Sequence, residues 1–157
     1  MKWFLICILI VVVMLIAYSV SEQYKEKFDF YYNLKNFLNQ FKLNLNFKQE
    51  KIITFIEKIK SKKQFSIFLK EYKNFLKTNE FNLNEIKILT QEEKIQLEEI
   101  IKNIGQLDIE NEKNQLENFI YEIDKKLVQA KESKDKLCPM IIKLSLLFSI
   151  GLAIILI

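Results

Sequence analysis

Histidine and arginine are absent from this 157-residue chain, glycine occurs twice and proline once. Each shortage removes a class of function. Without His there is no imidazole base, no Ser-His-Asp triad and no Glu-x-x-His helix for a di-iron centre. Without Arg the chain cannot supply an arginine finger. Gly105 and Gly151 alone cannot build a Walker-type phosphate loop or a dinucleotide fingerprint, both of which need several glycines. So few turn-formers also cannot punctuate a β-sandwich or barrel. Cys7 and Cys138 form no C-x-x-C pair, which with the missing His argues against a zinc site. The carboxylates stand beside lysines on polar helix faces, as in Glu92-Glu93 and Glu98-Glu99, and make no acid–base pair. The expectation is a helical, non-enzymatic protein with no catalytic residue, no cofactor and no metal. Lys supplies all 24 basic residues, and the net charge of +4 is not read as nucleic-acid binding, because AT-rich codon usage favours the same Lys, Asn, Ile and Phe.

Apolar sequence, by contrast, is plentiful. Trp3 to Val20 is an 18-residue run without a charge. As a helix it spans roughly 27 Å, close to the hydrocarbon thickness of a bilayer. Trp3 and Tyr18 stand at its two ends, where amphipathic rings prefer the interface. The same stretch also reads as a signal peptide: Lys2 as the basic start, Phe4 to Ile16 as the apolar stretch, Ala17-Tyr18-Ser19 as a small-x-small cleavage site. Met140 to Ile157 is a second span whose only charge, Lys143, can snorkel to the interface. In it Ser145, Ser149 and Ala153 fall four apart, a small-residue face that lets another helix approach closely and predicts self-association.

Topology follows from the lysines. Lys25, Lys27 and Lys35 follow the first span, and Lys125, Lys126, Lys131, Lys134 and Lys136 precede the second, against Lys2 alone outside. Positive charge stays in the cytosol, so the expected division is a transmembrane helix at 1–20, a cytosolic helical bundle at 21–139 and a transmembrane helix at 140–157. Membrane lipids are then partners of both spans. Were the first span cleaved as a signal peptide, the domain would instead be an extracytoplasmic helical sensor or interaction domain held by its C-terminal helix.

Between the spans the apolar period is helical throughout. Phe28, Tyr31, Leu34, Leu38, Phe41 and Leu45 recur at steps of three and four, one stripe of a long helix. Ile52, Phe55, Ile56 and Ile59 mark a short second helix; Phe65, Phe68, Leu69, Tyr72, Phe75 and Leu76 mark a third. Asn44-Leu45-Asn46 and Thr78-Asn79 fit the turns, Asn standing in for scarce Gly. Asn82 to Leu89 reads as a brief fourth element. Thr90-Gln91-Glu92-Glu93 is a capping box, in which Thr90 and Glu93 satisfy each other's amides. The helix behind it presents Leu97, Ile100, Ile101 and Ile104 and is expected to stop at Gly105. Asp108 is expected to cap the longest helix, with a heptad-like stripe of Leu116, Ile120, Ile123, Leu127 and Ala130, until Cys138-Pro139 breaks or kinks it. The fold class is therefore all-α: an antiparallel helical bundle flanked by N- and C-terminal transmembrane helices.

Charge divides the chain. Residues 21–78 hold 13 Lys and 6 acids; residues 79–140 hold 9 Lys and 14 acids. The halves can neutralise each other by packing together, associate head to tail with another copy, or set a basic surface against anionic headgroups.

The segment from Leu97 to Ile157 resembles the end of the stage III sporulation protein AB family. The shared pattern is a leucine-rich helix reaching a Gly, an acidic cap opening a long charged helix, and a terminal membrane helix. Here these are Ile100-Ile101-Lys102-Asn103-Ile104-Gly105, then Asp108 with Ile109 to Lys136, then Ser149-Ile150-Gly151-Leu152 and Ile154-Ile155-Leu156-Ile157. The resemblance implies a subunit of a channel or feeding-tube complex between mother cell and forespore, in the mother cell's outer forespore membrane. Its soluble domain would be similar to that of the inner-membrane platform proteins of type II secretion and type IV pilus machines. The implied role is non-catalytic: a platform, able to self-associate, that couples a cytosolic ATPase to other channel subunits.

Overall fold

The computed structural model describes residues 2–47, 52–59, 61, 63–104 and 109–156. Its helices are α1 (Lys2–Phe47), α2 (Ile52–Lys58), α3 (Lys63–Thr78), α4 (Gln91–Asn103) and α5 (Ile109–Leu156), with no strand among the described residues. The all-α bundle expected from periodicity is the observed fold, with two long apolar-ended helices packed against each other.

Each expected span is continuous with its neighbouring bundle helix. α1 passes Val20-Ser21 without interruption, since neither Gly nor Pro occurs there and the residues that follow are good helix formers. α5 also runs through Pro139, where a break or a kink was expected, so the break does not occur. An interior proline removes one backbone hydrogen bond, whereas breaking the helix would orphan four carbonyls and four amides. α1 lies alongside on both sides of the proline and keeps the helix in line.

The α1/α5 pairing is antiparallel and stays in step over its whole length. Ser145 Oγ lies 3.5 Å from Met14 Sδ, and the Cys138 thiol donates to the Ser21 carbonyl at 3.4 Å. Further out, Lys35 pairs with Asp124, and Lys42 pairs with Glu117 at 2.5 Å. Along α1 these contacts fall at 14, 21, 35 and 42; along α5 they fall at 145, 138, 124 and 117, always multiples of seven residues apart. Among the described side chains, Ile6, Ala17 and Ser21 are the buried ones of the α1 apolar end, and Cys138 and Ser149 those of α5. Small side chains there let the two backbones approach.

The remaining helices cover the outer half of this pair. Tyr31, Leu34, Leu38 and Phe41 of the expected α1 stripe are buried, Phe28 is partly buried, and the Leu45 side chain lies outside the described residues. Phe30 and Phe37 widen that stripe and receive α2 and α3: Phe30 meets Phe65 and Phe68 edge-on, and Phe37 contacts Phe55, Phe65, Phe68 and Tyr72. Each such ring contributes about 1.5–3 kcal/mol on burial, so this aromatic layer is the main hydrophobic bond between α1 and α3. α3 ends on Asn79, whose positive φ of 59° and amide bond to the Phe75 carbonyl at 2.8 Å make the left-handed cap usually given to Gly.

The fourth element expected from Asn82 to Leu89 is not a helix. Its apolar residues at steps of three, Leu83, Ile86 and Leu89, are buried, but the backbone makes consecutive turns. Asn82 Oδ1 accepts the Asn84 amide at 2.9 Å and the Ile86 amide bonds the Leu83 carbonyl, so local Asn chemistry takes the amides a helix would need. α4 then buries Leu97, Ile100 and Ile101 and leaves at Ile104, which is extended and buried. Gly105 and Asp108 lie outside the described residues. In α5, Leu116, Ile123 and Ala130 are buried while Ile120 and Leu127 pack partly against the core.

Candidate functional site

Four polar features stand out on this frame, and the first is built by Glu93. Thr90 approaches α4 with extended geometry (φ −69°, ψ 164°) and caps it: its hydroxyl accepts the Glu93 amide at 3.3 Å, and its own amide donates to the Glu93 carboxylate at 2.8 Å. The same carboxylate receives the Lys27 ammonium, 2.8 Å and 2.9 Å from its two oxygens. Local sequence thus makes the cap, and α1 then uses the capping residue as an anchor for α4. Burial works to raise the Glu93 pKa, but Lys27, the Thr90 amide and the Tyr31 phenol together hold it below the ordinary carboxyl value. The Tyr31 phenol is pushed upward, first by burial and then by the Glu93 charge, and stays protonated.

A lowered folded-state pKa gives stability that is present above the unfolded pKa and lost as pH falls through the folded one. Glu93→Gln should therefore cost about 1.5–3 kcal/mol at neutral pH, the range for hydrogen bonds to a charged group. That penalty should shrink toward zero as pH drops below the ordinary value of 4.5. Thermal unfolding of both forms across this range measures it; a pH-independent gap would refute the anchoring role.

Lys35–Asp124 and Lys42–Glu117 form the second feature, a seam along α1 and α5. With Lys27–Glu93 they join the basic first half of the chain to the acidic second half, so packing within one chain already neutralises part of the charge division. The seam is largely exposed and fixes register more than it adds stability.

The third feature is the small-residue face. Ser149 is buried and donates to the Ser145 carbonyl at 2.7 Å; Ser145 donates to the Ile142 carbonyl at 2.8 Å; Ala153 is half-buried. Within one chain this face is turned to α1, as the Met14 contact shows.

The fourth is Glu112, which is only 2% exposed although its charge suggested solvated surface. It precedes Leu116 by one helical turn on the apolar stripe, and that spacing was the signal for its burial. It sits in the first turn of α5, where the helix dipole favours a carboxylate. Burial and then the Glu112 charge raise the pKa of the neighbouring Tyr72 phenol. Among the described residues no three Cys, Asp or Glu side chains group as metal ligands.

At the other end of the molecule α1 and α5 turn apolar surface outward. Both are long and apolar enough to cross a membrane by length and composition, and only 17% of each apolar window is buried. A soluble core helix would hide most of such a window, and Ile155 here is 80% exposed. The class this geometry defines is an all-α domain carried on an antiparallel helix pair with bilayer-compatible ends. The chain belongs to the stage III sporulation protein AB family, whose family model matches residues 2–157, and its role is accordingly in sporulation. The match includes the N-terminal half as well as the C-terminal segment on which the sequence resemblance rested. No curated protein matches the chain, and no solved structure does.

Proposed function

We propose that this protein is a non-catalytic platform subunit, anchored by both apolar helix ends in the outer forespore membrane. Its cytosolic bundle couples an ATPase to other subunits of the channel between mother cell and forespore. Membership of the sporulation family carries the reading. The architecture supports it: one unbroken helix pair joins a packed soluble bundle to both apolar ends, and the polar side chains of the bundle hold helices together. Lysines concentrate beside the apolar ends on the bundle side, which favours the cytosol for the bundle. Retention of the first span is favoured by its packing. Cleavage at Ala17-Tyr18-Ser19 would cut α1 in mid-helix, between the buried Ala17 and Ser21, whose carbonyl accepts from the Cys138 thiol of α5.

Topology separates this reading from an extracytoplasmic domain. Lys70→Cys and Val128→Cys place thiols at exposed positions of the bundle. An impermeant maleimide should label them only after the cells are opened, and the mature N-terminus should be that of the intact chain. Labelling of unbroken cells, or a mature N-terminus near residue 20, would overturn the orientation. Co-purification of the ATPase of the channel with the full-length protein tests the coupling role; its absence from the complex would reject it.

A further inference from the structure

We infer that a second copy of this chain docks side by side, with the lysine stripe of α3 of one copy against the acidic outer stripe of α4 of the next. The inference rests on the membrane reading above, because two copies anchored by the same spans stand at the same height and point the same way. Only residues at matching heights can then meet.

The heights can be read from α1. Phe65 contacts Phe30 at 5.8 Å and Tyr72 contacts Phe37 at 6.0 Å, so each α3 residue lies beside the α1 residue numbered 35 lower. Lys70 is therefore level with Lys35. Glu93 is held by Lys27 and lies against Tyr31. It shares a groove with Ala130 and Ser133 of α5, whereas Glu99 and Asn103 share one that reaches Phe119 and Gln115, so α4 rises in the direction of α1. Six residues on, about 9 Å higher at 1.5 Å per residue, Glu99 reaches the height of Lys70. Seven residues below each of these stand Lys63 and Glu92, so the two stripes match in sign, spacing and level.

Of these charges Lys63 is already held within its own chain by Glu22 at 2.6 Å and Glu26 at 3.3 Å, which leaves Lys70 as the available lysine of its stripe. The α1 lysines at 27, 35 and 42 are taken by Glu93, Asp124 and Glu117. Lys70, Glu92 and Glu99 are exposed and make no ion pair among the described residues. Between Glu92 and Glu99 lies Ile95, 58% exposed on an otherwise polar face, and half-buried Ile67 lies between Lys63 and Lys70. An apolar contact ringed by complementary charge is the anatomy of a protein interface, with the charges steering the approach. The two stripes sit on different sides of one bundle, since α3 docks through Phe30 and Phe37 and α4 through Lys27 and Tyr31. The contact is therefore heterologous and propagates to a row or a ring.

Two differently tagged full-length copies are co-expressed in a Cys7→Ser, Cys138→Ser background, one with Lys70→Cys and the other with Glu99→Cys, and treated with a short bis-maleimide. The expected result is a mixed-tag adduct at least about fivefold more abundant than from Lys70→Cys with Glu110→Cys, an exposed acid at the wrong height. A second pair, Lys63→Cys with Glu92→Cys, reports a charge swap: Lys70→Glu should lower its yield about fivefold and Glu99→Lys in the partner copy should restore it. Equal adducts at all heights, dominance of Lys70→Cys self-adducts, or failure of the swap to rescue would overturn the proposal. Unchanged melting of Lys70→Glu shows that the bundle is intact. Labelling of Lys70→Cys in opened cells tests the orientation separately, so a failed interface and a failed topology give different results.

Discussion

Phe37→Ala should destabilise the bundle by about 3–5 kcal/mol, the largest single effect expected from any side chain described here. Phe37 is 2% exposed and its ring touches those of Phe41, Phe55, Phe65, Phe68 and Tyr72, at centroid separations of 5.6–6.4 Å. It is where α1, α2 and α3 meet, and no rotamer change of one neighbour can fill the space of a missing ring flanked by five others. Tyr32→Ala, on the exposed face of the same helix, should change stability by less than about 0.5 kcal/mol. Thermal or denaturant unfolding followed by circular dichroism in detergent compares them. A Phe37→Ala loss below 1 kcal/mol would show that the aromatic layer does not hold α3 to α1.

Ser149→Leu should part the apolar ends of α1 and α5. Ser149 is 3% exposed and faces α1, so three extra carbons must push the helices apart or twist the side chain off its rotamer. Overpacking of this kind costs about 1–3 kcal/mol, and in a bilayer no hydrophobic term offsets it, since lipid is as apolar as Leu. Met14→Cys with Ser145→Cys supplies the readout, because those side chains lie 3.5 Å apart. The disulfide between them should form readily in the parent and at least about tenfold more slowly with Ser149→Leu, the kinetic equivalent of roughly 1.4 kcal/mol. Equal rates would mean that Ser149 does not set the separation of the helices. A control, Ile155→Ala, changes an exposed side chain on the same helix and should leave the rate alone.

The features legible in the sequence are those decided by neighbours along the chain. Thr90 and Glu93 are three residues apart, and their mutual capping needs no third party. The stripes on α1, α3 and α5 are legible because a buried face must recur at the helical period. The same period misled at Leu83, Ile86 and Leu89, where successive turns bury residues at steps of three as a helix would. Hydrophobicity changes sharply at residues 20 and 140, yet hydrogen bonding along α1 and α5 does not respond to it, so the solvent boundary is not a boundary of structure. The backbone bond that Pro139 removes is plain from its own chemistry, whereas the packing of α1 beside it comes from residues more than a hundred positions away, which no local pattern carries. Distance hid the site in the same way. That Glu93 would anchor Lys27, or that Asp124 would answer Lys35, depends on the relative rotation of two helices, which no local pattern encodes.

The lockstep of α1 and α5 has a mechanical consequence. Contacts spaced by multiples of seven residues work like the teeth of two meshed racks, so one rod cannot creep past the other without breaking them. Even a slide of a whole heptad, about 10 Å at 1.5 Å per residue, would not restore these contacts, since it sets Lys35 against Lys131 in one direction and Ser21 against Lys131 in the other. A pull applied at the outer tip, near Lys42 and Glu117, therefore reaches Met14 and Ser145 as motion of a single stiff beam.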